Sequence, residues 1–406
     1  MKKLFAWSAA VIAALLFAGC GGGSSPSAPS NVTVSVHDSS ALVTWSMESG
    51  IEYWVWTGAG AVTEQICVTT LTCTIHRGAS SPFLITGLTN GTTYSTFVNG
   101  TNKGSPVGAS SPPISYVPKA AGFAWTVGAP LGAANLLGLG FTPATTAGGS
   151  IFIAAGSGGS IFSSADSLTW TARTSSVATN LNAVIYAAAK FVVVGDAGVI
   201  LTSPDGVTWT SRTSGTANNL YALTTNGTVI TAVGANGTIL SSGDGIGWSA
   251  QNSGTTNDLY GITFANAVYV AVGAKGTLLT SANGAAWSAV ASQTSLDLKS
   301  VANGAGTFAA VGASGALVTS ADGVTWTARP PIAARSFAAV VYGSQFIAVG
   351  SGGNIFTSVD GINWLPAISG TTNDLYAVVY SASIAANKLA VGYTVVGAAG
   401  TNLTSY

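Results

Sequence analysis

Short apolar strands and polar, glycine-rich turns alternate with a fixed period through the larger part of the chain. The unit that starts at Trp209 reads as a polar strand end and loop (WTSRTSGTANN), a short strand (LYALTT), an apolar strand (VITAVG), a turn (GANG) and a further strand (TILSS). Its tryptophan recurs every 39 residues from Trp170 to Trp326, and again 38 residues later at Trp364. Four strands in roughly 40 residues predict a repeat of small antiparallel sheets.

The number of these sheets follows from the glycine pair in the turn. The pattern GxxG follows an apolar strand and precedes another strand seven times, at Gly156/Gly159, Gly195/Gly198, Gly234/Gly237, Gly273/Gly276, Gly312/Gly315, Gly350/Gly353 and Gly397/Gly400. A phosphate-binding loop would have to open a helix, so we interpret these turns as hairpins. The count predicts an all-β fold in which residues 122–406 form a seven-bladed β-propeller.

The two ends of this domain complement each other. The chain stops at TNLTSY, where another tryptophan-containing turn would begin, and Trp125 in GFAWTV has no such turn before it. We therefore expect the strand around Trp125 to complete the last blade. Closure of this kind leaves no open sheet edge in the ring.

A turn motif, S-x-D-G-x-T-W in its fullest form and called the box below, recurs six times. Its Asp is suited to accept backbone N–H bonds, its Gly to supply a positive φ, and its Trp to bury on the order of 150–250 Å². Asn283 replaces the acid in one box and Ser167 replaces the glycine in another. Because Asn makes the same turn without a charge, we interpret the box as structural. Its principal residues are Asp166 and Trp170, Asp205 and Trp209, Asp244 and Trp248, Asn283 and Trp287, Asp322 and Trp326, and Asp360 and Trp364.

The box resembles the Asp-box, also called the bacterial neuraminidase repeat. The longer combination VGxxGxIxTSxDGxxW is similar to that of photosystem II stability/assembly-factor-like propellers. Sialidases share the Asp-box, and that resemblance would imply an arginine triad, a Tyr–Glu pair and an acidic Asp. Residues 122–406 contain no Glu, His or Cys, and three of their four arginines occupy one repeat position, three residues after a box tryptophan. The four are Arg173, Arg212, Arg329 and Arg335.

A second repeating position indicates a possible binding site. The residue before the innermost strand of each unit is polar, namely Asn135, Asn180, Asn219, Asp258, Asp297, Ser336 and Asp374. Tyr221, Tyr260 and Tyr376 follow two positions later in three units. In a propeller these residues form a ring near the axis, on the face opposite the boxes. One interpretation is a mouth that binds a glycan, a peptide or Ca²⁺, with Asn219, Tyr221, Asp258, Tyr260, Asp297, Asp374 and Tyr376 as candidate ligand-binding residues. The other is repeated turn capping.

Residues 31–118 predict a smaller β domain ahead of the repeats. Alternating strands (NVTVSV, ALVTW, EYWVWT) precede GLTNGTTY, and the segment resembles a fibronectin type III domain through Trp45, Leu88 and Tyr94. The resemblance implies a spacer or adhesion module in which the Tyr94 hydroxyl bonds nearby backbone. Cys67 and Cys73 in CVTTLTC predict a local disulfide in an exported protein, with the five residues between them folded back as a hairpin.

The N-terminus predicts export. Lys2 and Lys3 precede a short apolar run, and FAGC ending at Cys20 resembles a bacterial lipobox in which Phe17 departs from the usual Leu. The resemblance implies a signal peptide over residues 1–19, lipidation of Cys20, a Gly/Ser/Pro tether over residues 20–30, and anchoring at the outer membrane or cell surface. The alternative is an ordinary secretory signal with an unrelated cysteine.

The composition reduces the number of function classes that the chain can have. Charged residues make up 6% of the chain and the formal net charge is zero, so no basic surface attracts nucleic acid. Since the repeat domain lacks a histidine base and a glutamate, we expect no enzyme, no cofactor and no bound metal. We expect a recognition or scaffolding protein that binds a protein or glycan at the cell envelope. The alternatives are an assembly factor for an envelope complex and a glycoside-acting enzyme that would need a close pair such as Asp258 and Asp374.

Overall fold

The structure is a computed structural model of the 406-residue chain. It describes residues 25–37, 39–70, 72–102, 108–119, 121–122, 124–142, 151–332, 335–385 and 388–405. The chain separates into two compact units that divide between residues 120 and 121. The predicted signal segment, Cys20 and the start of the tether lie outside the described residues.

The first unit consists of two antiparallel sheets around one core. Its strands are β1 Thr33–His37, β2 Ser40–Thr44, β3 Ile51–Ala59, β4 Thr74–Ala79, β5 Phe83–Thr86, β6 Tyr94–Asn102 and β7 Ile114–Tyr116. One sheet has the order β1-β2-β5 and the other β4-β3-β6-β7. Val43, Tyr53 and Val98 from both sheets share the buried cluster. The backbone N–H of Thr89 donates to the Tyr94 hydroxyl at 3.1 Å, which fixes the turn before β6.

The hairpin that we predict between Cys67 and Cys73 is wrong, because the segment between β3 and β4 holds a short helix, α1, Glu64–Thr70. The Thr63 hydroxyl accepts the backbone N–H of Ile66, and the acidic Glu64 lies in the first turn, both of which favour a helix start. Cys67 is buried with Trp56 and Phe97 in a second apolar cluster. Its disulfide to Cys73 spans a Cα–Cα distance of 5.2 Å and so joins α1 to the segment before β4.

In the described part of residues 121–405, twenty-eight strands form seven four-stranded antiparallel sheets, numbered first to seventh in chain order. The innermost strands are β9 Leu136–Phe141, β13 Leu181–Ala187, β17 Leu220–Thr225, β21 Leu259–Ala265, β25 Leu298–Gly304, β29 Phe337–Tyr342 and β33 Leu375–Ala385. The second strands are β10 Phe152–Gly156, β14 Lys190–Gly195, β18 Ile230–Gly234, β22 Val268–Gly273, β26 Thr307–Gly312, β30 Phe346–Gly350 and β34 Lys388–Gly397.

The remaining two strands of each sheet lie further out. The third strands are β11 Ile161–Ser164, β15 Ile200–Ser203, β19 Ile239–Ser242, β23 Leu278–Ser281, β27 Leu317–Ser320, β31 Ile355–Ser358 and β35 Asn402–Ser405. The outermost strands are β12 Thr171–Arg173, β16 Thr210–Arg212, β20 Ser249–Gln251, β24 Ser288–Ala289, β28 Thr327–Ala328, β32 Leu365–Ala367 and, for the seventh sheet, β8 Thr126–Val127.

The seven sheets form a closed ring. The innermost strand of each sheet contacts that of the next, and β33 of the seventh sheet contacts β9 of the first. The strand β8 pairs with β35, with Thr126 opposite Thr404 and Val127 opposite Leu403. The prediction that an N-terminal strand completes the last sheet is therefore confirmed. This pairing ties the two ends of the unit together and covers the edge of β35.

Each GxxG turn is a single turn of 3₁₀ helix that needs both glycines for space. A Cβ on Gly234 would lie 2.0 Å from the carbonyl oxygen of Asn219, and one on Gly237 would lie 2.0 Å from that of Thr255. Of the two residues between them, the second, Asn236, adopts a left-handed φ of 52°. The turns are Ser157–Gly159, Asp196–Gly198, Ala235–Gly237, Ala274–Gly276, Ala313–Gly315, Ser351–Gly353 and Ala398–Gly400.

Small residues line the approach of neighbouring innermost strands. The third residue of these strands is always small, namely Gly138, Ala183, Ala222, Gly261, Ser300, Ala339 and Ala377. A Cβ on Gly261 would lie 2.7 Å from the carbonyl oxygen of Lys299 in the next sheet. Backbone therefore packs against backbone around the axis.

We expect Gly261→Val to lower the free energy of unfolding by about 1–3 kcal/mol, because the extra side chain would have to push two innermost strands apart. Urea unfolding followed by tryptophan fluorescence would measure the change. Gly247→Ala is the matched control, since a Cβ there meets no atom within 4 Å, and we expect little effect. Equal stability of the two variants would contradict the proposed tight strand packing.

Candidate binding site at the centre of the ring

The six boxes lie between the third and outermost strands, away from the centre of the ring, and each builds the same hydrogen-bonded turn. The Asp205 carboxylate accepts the backbone N–H groups of Val207 and Thr208, each at 2.8 Å, and the Ser203 hydroxyl at 2.9 Å. These backbone hydrogen bonds hold the pKa of Asp205 below its usual value. In the next box along the chain, the Trp248 indole N–H donates to the carbonyl oxygen of Gly245 of the same box at 3.2 Å, so the indole closes the turn. Trp209 of the Asp205 box differs, because its Nε1 is buried without a hydrogen-bond partner.

The two departing boxes keep this geometry. Asn283 accepts the backbone N–H groups of Ala285 and Ala286 at 2.9 and 3.0 Å, as the aspartates do. Ser167 adopts a φ of 57°, in the left-handed region where the other boxes have glycine. The turn thus needs an oxygen acceptor and a left-handed residue but no negative charge.

The polar residues before the innermost strands bind each sheet to the one before it. In every case the side chain accepts a backbone N–H from the GxxG turn of the preceding sheet, at 2.7–3.3 Å. The donor is always the third residue of the GxxG pattern, called the middle residue of the 3₁₀ turn below. The donor and acceptor pairs are Gly158–Asn180, Ala197–Asn219, Asn236–Asp258, Lys275–Asp297, Ser314–Ser336, Gly352–Asp374 and Ala399–Asn135. The last pair joins the seventh sheet to the first, so these hydrogen bonds form a complete ring.

A β-bulge in every sheet directs one further residue toward this ring. The register between the first two strands shifts around the second residue of each innermost strand. A bulged residue has no partner opposite it, so its side chain is free of the sheet alternation. The bulged residues are Leu137, Asn182, Tyr221, Tyr260, Lys299, Ala338 and Tyr376.

Six of these seven bulged residues, all except Asn182, line a depression of about 460 Å³. Its lining consists of Leu137, Tyr221, Tyr260, Lys299, Ala313, Ser336, Phe337, Ala338, Ser351, Asp374, Leu375 and Tyr376. The rings of Tyr221 and Tyr260 lie with their centroids 5.6 Å apart. The Lys299 Nζ lies 3.4 Å from the centroid of the Tyr260 ring and 3.1 Å from the Asp297 Oδ2. An aromatic and cationic wall therefore bounds one side of the depression.

The tyrosine hydroxyls of the depression are neutral hydrogen-bonding groups. Desolvation by burial raises the pKa of Tyr221, Tyr260 and Tyr376 above the usual value. For Tyr376 the negative charge of Asp374 raises the pKa further. At neutral pH each hydroxyl can thus donate to and accept from a ligand.

Only part of the candidate set comes together in the depression. Tyr221, Tyr260, Tyr376 and Asp374 line it, whereas Asn219, Asp258 and Asp297 do not. Sequence reasoning missed Lys299 and Leu137, although both occupy the repeat position of the tyrosines. The signal was available in the repeat register, but we searched that position only for aromatic side chains.

The carboxylates of the ring are occupied by structural contacts. Asp258 and Asp374 each accept a backbone N–H through Oδ1, from Asn236 and Gly352 respectively. Among the described residues, no three His, Cys, Asp or Glu side chains group together as metal ligands. In the same part of the chain, no helix has both the length and the apolar character needed to cross a bilayer.

Comparison with known proteins identifies the fold. No family model matches the chain, and no curated protein does. A structure titled YCF48 bound to D1 peptide is 17% identical with a TM-score of 0.57, and covers 69% of this chain and 94% of its own. YCF48 from Cyanidioschyzon merolae is 17% identical with a TM-score of 0.55, and covers 70% and 98%. The WD40 β-propeller domain of Doa1 is 11% identical with a TM-score of 0.55, and covers 70% and 97%. At these identities the likeness shows the β-propeller fold alone.

We expect Asp205→Ala to lower the free energy of unfolding by roughly 1 kcal/mol, because two backbone N–H groups lose their acceptor. Asp205→Asn should keep most of this stability, because the amide oxygen can accept the same bonds. Since the folded-state pKa of Asp205 is lowered, the charge contributes stability above pH ~4 that is lost as the pH falls through the folded-state pKa. Urea unfolding at pH 7 and pH 3 should therefore show a smaller acid-induced loss for Asp205→Asn than for the unmodified protein. An Ala variant as stable as the original would contradict the structural role of the box.

Proposed function

We propose that the second unit is a seven-bladed β-propeller that acts as a non-enzymatic recognition or scaffolding module, with a polypeptide segment bound at the central depression. The observation that carries this proposal is the convergence of three tyrosines and Lys299 on one depression of about 460 Å³. Tyrosines with neutral hydroxyls offer a ligand both apolar area and hydrogen bonds, a combination that favours protein recognition.

Two of the similar structures support a protein ligand. One is titled YCF48 bound to D1 peptide and another Mitotic Checkpoint Complex, with TM-scores of 0.57 and 0.53 to this chain. The first title names a bound peptide and the second names a complex. An assembly factor for an envelope complex, as the YCF48 likeness suggests, is the second form of this proposal.

The residues of the ring support binding rather than catalysis. A glycoside-acting enzyme needs two carboxyl groups about 5–10 Å apart on either side of the scissile bond. Asp374 faces the depression while Asp258 does not line it, and each uses one oxygen for a bond between sheets. The same proposal includes the interpretation of the box as a structural Asp-box, because its acidic residue bonds backbone groups of its own turn.

We further propose that the first unit is a fibronectin type III-like spacer and that the chain is an exported lipoprotein anchored through Cys20. The spacer role is supported by two antiparallel sheets of three and four strands around one core. The anchor rests on the sequence of residues 1–20 alone. In this proposal the anchor holds the protein at the outer membrane or cell surface, and the first unit serves as the spacer that precedes the propeller.

To test binding at the depression, a random-peptide library would be selected on the purified protein, and selected peptides measured by fluorescence anisotropy. We expect Tyr221→Ala to weaken binding about tenfold, because it removes an aromatic contact at the centre of the site. Ile246→Ala is the matched control, since it truncates an exposed side chain in the box of the same sheet and should leave affinity unchanged. Selection of no peptide that depends on Tyr221, or Tyr221-dependent binding of glycans alone, would overturn the proposal.

For the anchor, we expect the chain expressed in a Gram-negative host to incorporate an alkyne-labelled palmitate and to sediment with membranes. Cys20→Ser should abolish both, because the thiol is the acylated group. Phe17→Leu, which restores the usual lipobox residue, should keep both. Equal labelling of Cys20→Ser would exclude the anchor and leave the ordinary secretory signal.

A further inference from the structure

The sixth sheet carries the shortest side chains at the two ring positions that face the depression. Ser336 stands where the other six sheets have Asn or Asp, and Ala338 stands where they have Leu, Asn, Tyr or Lys. Both residues line the depression, together with Phe337 and Ser351 of the same sheet. The open volume thus lies where a longer side chain of the sixth sheet would otherwise project.

The wall formed by the fourth and fifth sheets already contains a lysine bound to a tyrosine. The Nζ of Lys299 lies over the ring of Tyr260 and forms an ion pair with Asp297. The ion pair, with side chains 32% and 35% exposed, offsets part of the charge of Lys299 and so reduces its repulsion of a second cation. The arrangement also shows how an Asp and a Tyr of this ring hold an ammonium group between them.

The opposite wall offers an Asp and a Tyr without a bound cation. Asp374 accepts the backbone N–H of Gly352 through Oδ1, and Lys299–Asp297 is the one ion pair within the described part of the chain. The Tyr376 ring forms no stacking or cation–π contact there, in contrast to Tyr221 and Tyr260. Arg335 extends toward Gly352, where its Nη1 lies 3.4 Å from the position of an added Cβ, but it does not line the depression.

We propose that the depression receives a lysine or arginine side chain of an extended polypeptide, with its charge at Asp374 and its aliphatic stem along Tyr376 and Ala338. This inference rests on the proposed function and names the chemistry that the site selects. A carboxylate beside an aromatic face binds a basic side chain through charge-assisted hydrogen bonding and cation–π attraction together. The apolar lining by Leu137, Ala313 and Ala338 suits the stem of that side chain.

The ring supplies a substitution that removes the charge and keeps the fold. Asn135, Asn180 and Asn219 accept the turn N–H of the preceding sheet as the aspartates do, so Asp374→Asn retains the bond to Gly352. Asp322→Asn is the matched control, because it removes the same charge from a box away from the centre of the ring, where Asn283 shows that Asn keeps the turn.

The test compares library-selected peptides that bind in a Tyr221-dependent way with analogues in which each lysine or arginine is replaced by norleucine. We expect the selected peptides to be enriched in basic residues, and Asp374→Asn to weaken the basic peptide about tenfold while changing its norleucine analogue little. Tyr376→Leu should weaken the basic peptide a few fold, and Tyr376→Phe should not. Asp322→Asn should leave the affinity unchanged.

The outcomes separate this inference from the proposed function. Peptides that need Tyr221 but are neither basic nor sensitive to Asp374→Asn would overturn the inference and leave peptide binding at the depression intact. Equal weakening by Asp374→Asn and Asp322→Asn would also overturn it, because the effect would then come from the net charge of the protein rather than from the depression. Failure to select any Tyr221-dependent peptide would overturn both.

Discussion

The structure of the second unit depends on the hydrogen bond that each sheet donates to the next at the centre of the ring. Sheets that contact only their neighbours need a fixed angle between them, and packing of apolar side chains alone sets that angle loosely. Here the left-handed middle residue of each GxxG turn donates its N–H to an Asn, Asp or Ser oxygen of the following sheet. Because the seventh such bond returns to Asn135 of the first sheet, an error in one angle would break a bond elsewhere. The paired strands β8 and β35 close the same ring at its outer edge.

This constraint separates the positions that build the ring from those that are free to vary. Asn, Asp and Ser all serve as acceptors at the first position, so the charge there is not required by the fold. The residue two positions after this acceptor lies in the β-bulge and has no partner across the sheet. It varies among the sheets from Ala to Lys and Tyr. The depression lies where the sequence departs from the repeat, because Ser336 and Ala338 of the sixth sheet carry shorter side chains than most of their equivalents and both line it. Asp258 and Asp374 occupy the same position of the repeat, but only Asp374 lines the depression.

The sequence predicted the features that repetition makes visible, and missed those that depend on a single local contact. The period, the turns and the strand around Trp125 that completes the last sheet followed from spacing alone, because a repeated fold repeats its sequence constraints. The helix α1 was missed because its start depends on Thr63 and Glu64 and its packing on Trp56 and Phe97, none of which forms a period. Lys299 was missed because the search at the bulged position looked for aromatic residues. Its role appears only when its distance to the Tyr260 ring is known.

The two interpretations that the sequence left open for the polar ring, ligand binding and turn capping, are not exclusive. Every member of the ring caps a turn of the preceding sheet through one oxygen, so capping accounts for why the position is polar in all seven sheets. Capping needs an oxygen acceptor but not the negative charge of Asp374, which lies close enough to Tyr376 to raise the pKa of that hydroxyl. Asp374 is exposed, and within the described part of the chain it forms no ion pair, since Lys299 is paired with Asp297. A basic side chain of a ligand can therefore pair with this carboxylate beside the Tyr376 ring, which is why we assign the ligand a basic side chain.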